Sequence, residues 1–245
     1  MRRIARLDLP ATAQKDMDRR QEAADRQNAK GDPDIEGVWK SARQSKTLRT
    51  VLSVLQQMAG FRERCMYCGD SHGADIDHFW PKRKHPGRMF RWPNLLLCCT
   101  ECGRLKGDGF PIEGDSPLLI DPTVEDPWRF LDFDPGTGNL VARFDPAAND
   151  WTRKGTATVA ALHLDRREAL SAGYQKTHRR LKSLVDEALQ SPPIDAAVLA
   201  GRLREADDHG LLGWCFNGTG RNVAPFADLR VRYPAVWQAC VGAFA

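Results

Sequence analysis

Two Cys-x-x-Cys pairs, Cys65–Cys68 and Cys99–Cys102, constrain this chain more than any other feature. Each pair can form a tight turn that aims two sulfurs at one ion, and four thiolates complete a tetrahedral zinc shell. Thirty residues separate Cys68 from Cys99, more than the roughly 15–20 of a simple zinc ribbon. The insert is therefore expected to be a structured excursion. A redox pair is the competing use, but a thioredoxin-like site opens a helix in a βαβ context. An insert rich in Trp, Pro and Asn fits that poorly. Cys98 adjoins Cys99 and is an alternative ligand, yet only Cys99 keeps the two-residue spacing to Cys102.

The remaining cysteines set the compartment. Seven in all, an odd number with five clustered, argue against an extracellular disulfide framework. Cys215 in "LLGWCF" and Cys240 in "VWQACV" read as buried hydrophobes. "MRRIARLDLPATAQ" has no apolar core run of the kind a signal peptide needs. No stretch approaches the ~18 apolar residues of a membrane span, so a soluble cytoplasmic protein is expected. The net charge of +4 is mild, and any nucleic-acid surface must be a local patch.

Hydrophobic periodicity divides the chain into three parts. Residues 1–60 read as a helical arm: a polar helix from Pro10 to about Lys30, a turn at "GDPD" (Gly31 to Asp34), then amphipathic helix on Val38, Leu48, Val51, Leu52, Leu55 and Met58. Gly60 is the expected stop. Residues 61–112 form the Cys/His-rich module. Residues 113–245 hold a strand–turn–strand at "FDPGTGNLVARF", a helical stretch from Thr156 to Gln190, a break at "SPP" and a further helix from Ile194 to Asp208. An apolar, aromatic tail then closes the core. The fold class is α+β, a small β-rich module between helical flanks.

Chemistry concentrates in the insert. "ADIDHFWPK" places Asp77 directly before His78, with Asp75 two residues earlier. On a regular strand Asp77 and His78 face opposite sides, so they serve one site only where the strand ends, and "FWP" predicts such an ending. An Asp can ligate a hard cation while a neutral His beside it takes a proton from water. That pairing is the minimum equipment for metal-assisted phosphodiester hydrolysis. The loop that follows, "FWPKRKHPGRMFRWP", carries Lys82, Arg83, Lys84, His85, Arg88 and Arg91. Beside a hydrolytic centre such cations are expected to contact phosphates with little sequence preference. Trp80, Phe90 and Trp92 are expected to pack the module rather than stack on bases.

The residues Cys65, Cys68, Asp77-His78, Pro81, Asn94, "LLLCC", Cys102 and Lys106-Gly107-Asp108 together resemble the HNH, or ββα-metal, endonucleases with zinc knuckles. The wider text, "DHFWPK", "WPNLLLCC", "KGDGFP" and "PLLIDPTVEDP", is similar to the HNH proteins of retron and Septu-type antiphage systems, whose usual companion is an ATPase. The resemblance implies His78 as general base, Asp77 as ligand of a catalytic Mg²⁺ or Mn²⁺, and Asn94 as the residue that pins the loop and orients His78. It also implies structural Zn²⁺ on Cys65, Cys68, Cys99 and Cys102, and DNA as substrate, with Lys106 joining Lys82, Arg83, Lys84, Arg88 and Arg91 in contacting it.

One letter of that pattern is missing. The family places His or Asn directly after the last cysteine, where this chain has Gly103. Either Asp108 or Asp75 substitutes as a ligand, or the cation keeps an extra water, or the nuclease has lost activity. The alternative to a nuclease is a catalytically weak or inactive zinc module that binds nucleic acid or docks a partner ATPase.

Overall fold

A computed structural model describes residues 1–31 and 34–244. It is α+β, 53% helix and 10% strand, with every strand in a short antiparallel pair. Asp32 and Pro33 of the expected turn lie outside the described residues. The chain forms two compact units, residues 4–117 and residues 1–3 with 118–245. The module read from the sequence, and the arm apart from residues 1–3, fall in the first.

In the unit of residues 4–117, three helices precede the hairpin: α1 (Ala11–Asn28), α2 (Ile35–Arg43) and α3 (Lys46–Ala59). Ser45 caps α3 by accepting from the Leu48 amide at 3.3 Å, a standard use of a serine hydroxyl. Leu48, Val51, Leu55 and Met58 then bury one face at helical spacing. Gly60 ends the helix at φ +84°, a conformation that costs a residue with a Cβ. The polar helix α1 is held by more than apolar contact. Fully buried Gln21 accepts from the Phe90 amide at 2.7 Å and donates to the Pro86 carbonyl at 3.0 Å. A buried amide is stable only with such partners, so α1 straps the loop around residues 86–90.

The hairpin pairs β1 (Asp75–His78) with β2 (Leu95–Cys98), placing Asp75 opposite Cys98, Asp77 opposite Leu96 and His78 opposite Leu95. Helix α4 (Thr100–Lys106) follows directly. β2 reads Leu-Leu-Leu-Cys and is buried on both faces, which explains a continuous apolar run in place of alternation. A second small pair, β3 (Ile112–Glu113) with β4 (Ser116–Pro117), ends the unit.

In the other unit, β5 (Leu131–Phe133) pairs with β6 (Leu140–Ala142) as the expected hairpin, and β7 (Phe144–Asp145) pairs with β8 (Asp150–Trp151). The stretch expected to be helical from Thr156 to Gln190 is two helices, α5 (Arg153–Leu162) and α6 (Glu168–Gln190). His163 separates them in the left-handed conformation, and its amide bonds back to the Val159 carbonyl, a C-terminal cap that apolar spacing alone does not reveal. α7 (Ala196–Ala206) is capped by Asp195, whose carboxylate accepts from the Ala197 and Val198 amides. α8 (Leu212–Phe216), α9 (Phe226–Arg232) and α10 (Pro234–Phe244) complete the core, with Cys215 and Cys240 buried as expected. Among the described residues, no helix is long and apolar enough to cross a membrane.

Candidate metal centre and histidine site

The two Cys-x-x-Cys pairs converge. The sulfurs of Cys65, Cys68, Cys99 and Cys102 all lie within 4.8 Å of one another, in buried surroundings. Tetrahedral zinc with sulfurs at 2.3 Å would separate them by about 3.8 Å, and Cys68 Sγ lies 4.0 Å from Cys99 Sγ. The donor set can therefore hold a metal ion such as zinc. Hydrogen bonds from Cys102, Cys65 and Cys99 hold the Cys68 thiol well below the ordinary range while burial pushes the Cys65 thiol up, so within the cluster Cys68 most readily supplies the thiolate that metals need. Cys98 is not in the group: its Sγ donates to the Cys99 carbonyl at 3.3 Å, and burial pushes its thiol up.

β1 ends at His78, as the "FWP" sequence predicts, and its last two side chains face opposite ways. Asp77 turns toward α4. Its Oδ2 accepts from the Tyr67 hydroxyl at 2.6 Å and lies 3.0 Å from Lys106 Nζ. Lys106 also donates to the His78 carbonyl at 2.7 Å. Its side chain is 1% exposed, so Lys106 sits inside the hairpin and not on a phosphate-facing surface. Such a buried ammonium is tolerated because two oxygens pair it.

His78 turns toward the helical arm. The residue is 5% exposed, and its ring packs edge-on against Trp39 of α2 with centroids 4.3 Å apart. Nε2 lies 3.0 Å from the Met89 carbonyl. A carbonyl only accepts, so Nε2 carries the proton and Nδ1 is the basic nitrogen of the neutral ring. Burial and then the charge of Lys82 push the His78 pKa down to about 3, so the ring is neutral at physiological pH.

Asn94 is buried and bonds the loop through its side-chain amide. Its Oδ1 accepts from the Trp80 amide at 2.8 Å, and Nδ2 donates to the carbonyls of Trp80 at 3.1 Å and Arg88 at 2.9 Å. One amide thus ties both ends of the basic loop. The Phe79 amide also donates to the Asn94 carbonyl at 2.8 Å, which fixes the chain immediately after His78.

The basic loop is folded back on acids of the same unit. Lys82 Nζ and Arg83 Nε bond Glu36 at 3.0 and 2.9 Å. Lys84 donates to the Asp108 carbonyl at 2.9 Å, Arg88 lies over the Trp80 ring at 4.5 Å, and Arg91 is 3.8 Å from Asp18. Asp108 is drawn to Arg83 at 3.9 Å, and Asp75 to Arg43 at 3.5 Å. Among the described residues, the four cysteines are the only group of three or more metal-capable side chains. Phe90 and Trp92 are buried in the module as expected.

Three contributors escaped the sequence reading. Tyr67 lies within the first cysteine pair, and that position was its available signal. Trp39 and Glu36 belong to a helix about forty residues upstream of His78, and no local pattern links them to it. No protein-family model matches the chain, and none of the curated proteins matches it.

Proposed function

We propose that residues 4–117 form a zinc-held phosphodiesterase of the HNH type acting on DNA, with His78 as general base. The observation that carries this reading is the fixed tautomer of His78: a neutral ring whose Nε2 proton is committed to the Met89 carbonyl and whose Nδ1 is left to accept a proton from water. Asn94 supports that geometry by tying Trp80, two residues on. Lys82 and Arg83 supply the charge that would neutralise a phosphate. Structural zinc on the four cysteines would stabilise the turns that carry β1 and β2.

The second metal is less well provided for. Asp77 offers Oδ1, since Oδ2 serves Tyr67 and Lys106, and Gly103 offers no side chain. A divalent cation there would stabilise charge on the phosphate while keeping most of its own waters, as magnesium commonly does. This sparse set favours a second reading, a zinc module that binds nucleic acid or docks a partner ATPase without cutting. By resemblance, antiphage defence is the setting for either.

The deciding experiment compares wild type and His78→Ala on plasmid DNA with Mg²⁺ or Mn²⁺. Wild type is expected to nick and cut, and His78→Ala to lose about 100-fold or more in rate with zinc content unchanged. Equal cutting by the two proteins would remove His78 from the chemistry. No cutting by either, with duplex binding retained, would favour the binding module.

A further inference from the structure

One short helix contacts both the proposed base and the two cations nearest to it. Trp39 lies across the His78 ring. Glu36, one turn earlier, bonds Lys82 and Arg83 together. Arg43, one turn later, reaches Asp75 at 3.5 Å. His78, the cations Lys82 and Arg83, and Asp75 at the start of β1 are thus contacted by residues spaced i, i+3 and i+7 on α2, a single helical face, while Asp77 is left to Tyr67 and Lys106. We infer that α2 is an autoinhibitory cover, its Glu36 carboxylate standing where a substrate phosphate would bind and its Trp39 ring closing His78 to water; the inference rests on the phosphodiesterase reading above.

Charge and anchoring both fit a cover that lifts. The carboxylate of Glu36 is held below its ordinary range by hydrogen bonds from Arg83 and Lys82, so it is ionised and competes directly with phosphate. Its pair with Arg83 is half exposed, with 51% of the Glu36 and 60% of the Arg83 side chain open, and such a pair contributes little in water; Lys82, 19% exposed, is the more sheltered partner. A DNA backbone presents many phosphates to the same two cations and gains from counterion release. α2 itself has only nine residues, with Trp39 and Ala42 buried. Its hold therefore depends mainly on the Trp39 ring, which opening would expose. Opening frees Lys82, Arg83 and Nδ1 of His78 in one movement, which would couple substrate contact to assembly of the site.

The test measures accessibility and binding apart from cutting, on the full chain. Histidine acylation by diethyl pyrocarbonate is followed peptide by peptide in wild type, Glu36→Gln and Trp39→Leu, with exposed His72 as internal reference. Duplex binding is followed by fluorescence anisotropy without divalent metal at low salt. If α2 is a cover, the His78 rate rises about tenfold or more in Trp39→Leu and severalfold in Glu36→Gln, while His72 is unchanged. Glu36→Gln also binds duplex about fivefold more tightly, an advantage that shrinks as salt rises. His78 labelling at the wild-type rate in both variants overturns the inference, whatever the proteins cut. Labelling and binding that rise while no protein cuts with Mg²⁺ or Mn²⁺ would sustain the cover and overturn the hydrolytic reading instead.

Discussion

Lys106 Nζ lies 3.0 Å from Asp77 Oδ2 inside the β1–β2–α4 unit, where the last turn of α4 meets the end of β1. The same ammonium holds the His78 carbonyl, so one lysine fixes two consecutive residues whose side chains diverge. Removing it leaves a largely buried carboxylate without its charge partner. Lys106→Met is expected to lower stability by about 2–4 kcal/mol, below the upper range for fully buried pairs because Asp77 keeps some solvent. Urea unfolding checks this. Adding Asp77→Asn should recover part of the loss, a coupling that a double-mutant cycle reads directly.

The four-cysteine centre makes a prediction that separates adjacent residues. Purified protein should carry one zinc per chain, and Cys99→Ala should lose it while Cys98→Ala retains it, since only Cys99 reaches the sulfur cluster. Elemental analysis decides. A strong chelator should also lower the melting temperature of wild type, because metal binding free energy at a structural site is folding free energy.

The cysteine centre and the end of β1 were legible because both depend on local spacing: two Cys-x-x-Cys turns, and a Trp-Pro step that stops a strand. The loop-tying bonds of Asn94 were suggested only by the family resemblance, not by any local pattern. The burial of Lys106 was not legible. A lysine in a basic stretch reads as surface, and only the three-residue step from Gly103 along α4, set against β1, turns it inward onto Asp77. The paired state of Lys82 and Arg83 was equally hidden, since their partner Glu36 lies on α2. The break at His163 escaped for a different reason: a left-handed cap needs one residue's backbone to change, and apolar periodicity continues across it.

His178 on α6 gives a pH dependence. It is 8% exposed among Phe133, Trp214 and Phe226, and its Nε2 has no hydrogen-bond partner among the described residues. Burial, then the charges of Lys182 and Arg179, lowers its pKa. The unfolded chain takes up this proton near pH 6.5 while the folded chain still refuses it. Stability is therefore full above that pH and declines as pH falls toward the lower folded value. His178→Phe should remove this contribution and so stabilise the protein more at pH 5 than at pH 7.5. Urea midpoints at the two pH values test it; an equal effect at both would show that His178 does not titrate in this way.

On the proposed nuclease reading Gly103 is the position that lacks a metal-binding side chain, and its surroundings say what a side chain there would meet. A Cβ at Gly103 would lie 3.2 Å from Cys98 Sγ, with no other contact within 4 Å beyond its chain neighbours and its own helix. That is slightly tighter than ordinary carbon contact, and the obstacle is one sulfur, not backbone. Replacing Gly within a helix also recovers a few tenths of a kcal/mol. Gly103→Asn should therefore fold with stability within about 1 kcal/mol of wild type, and adding Cys98→Ala should relieve the remaining contact. Gly103 and Lys106 lie one turn apart on the face of α4 that meets the hairpin, so the new amide joins the side on which Asp77 presents its carboxylate. Mn²⁺ titration should show tighter binding by Gly103→Asn, and its plasmid cutting should exceed that of wild type about tenfold. Unchanged Mn²⁺ affinity in a well-folded Gly103→Asn protein would mean that Asp77, committed to Lys106 and Tyr67, does not act as a metal ligand.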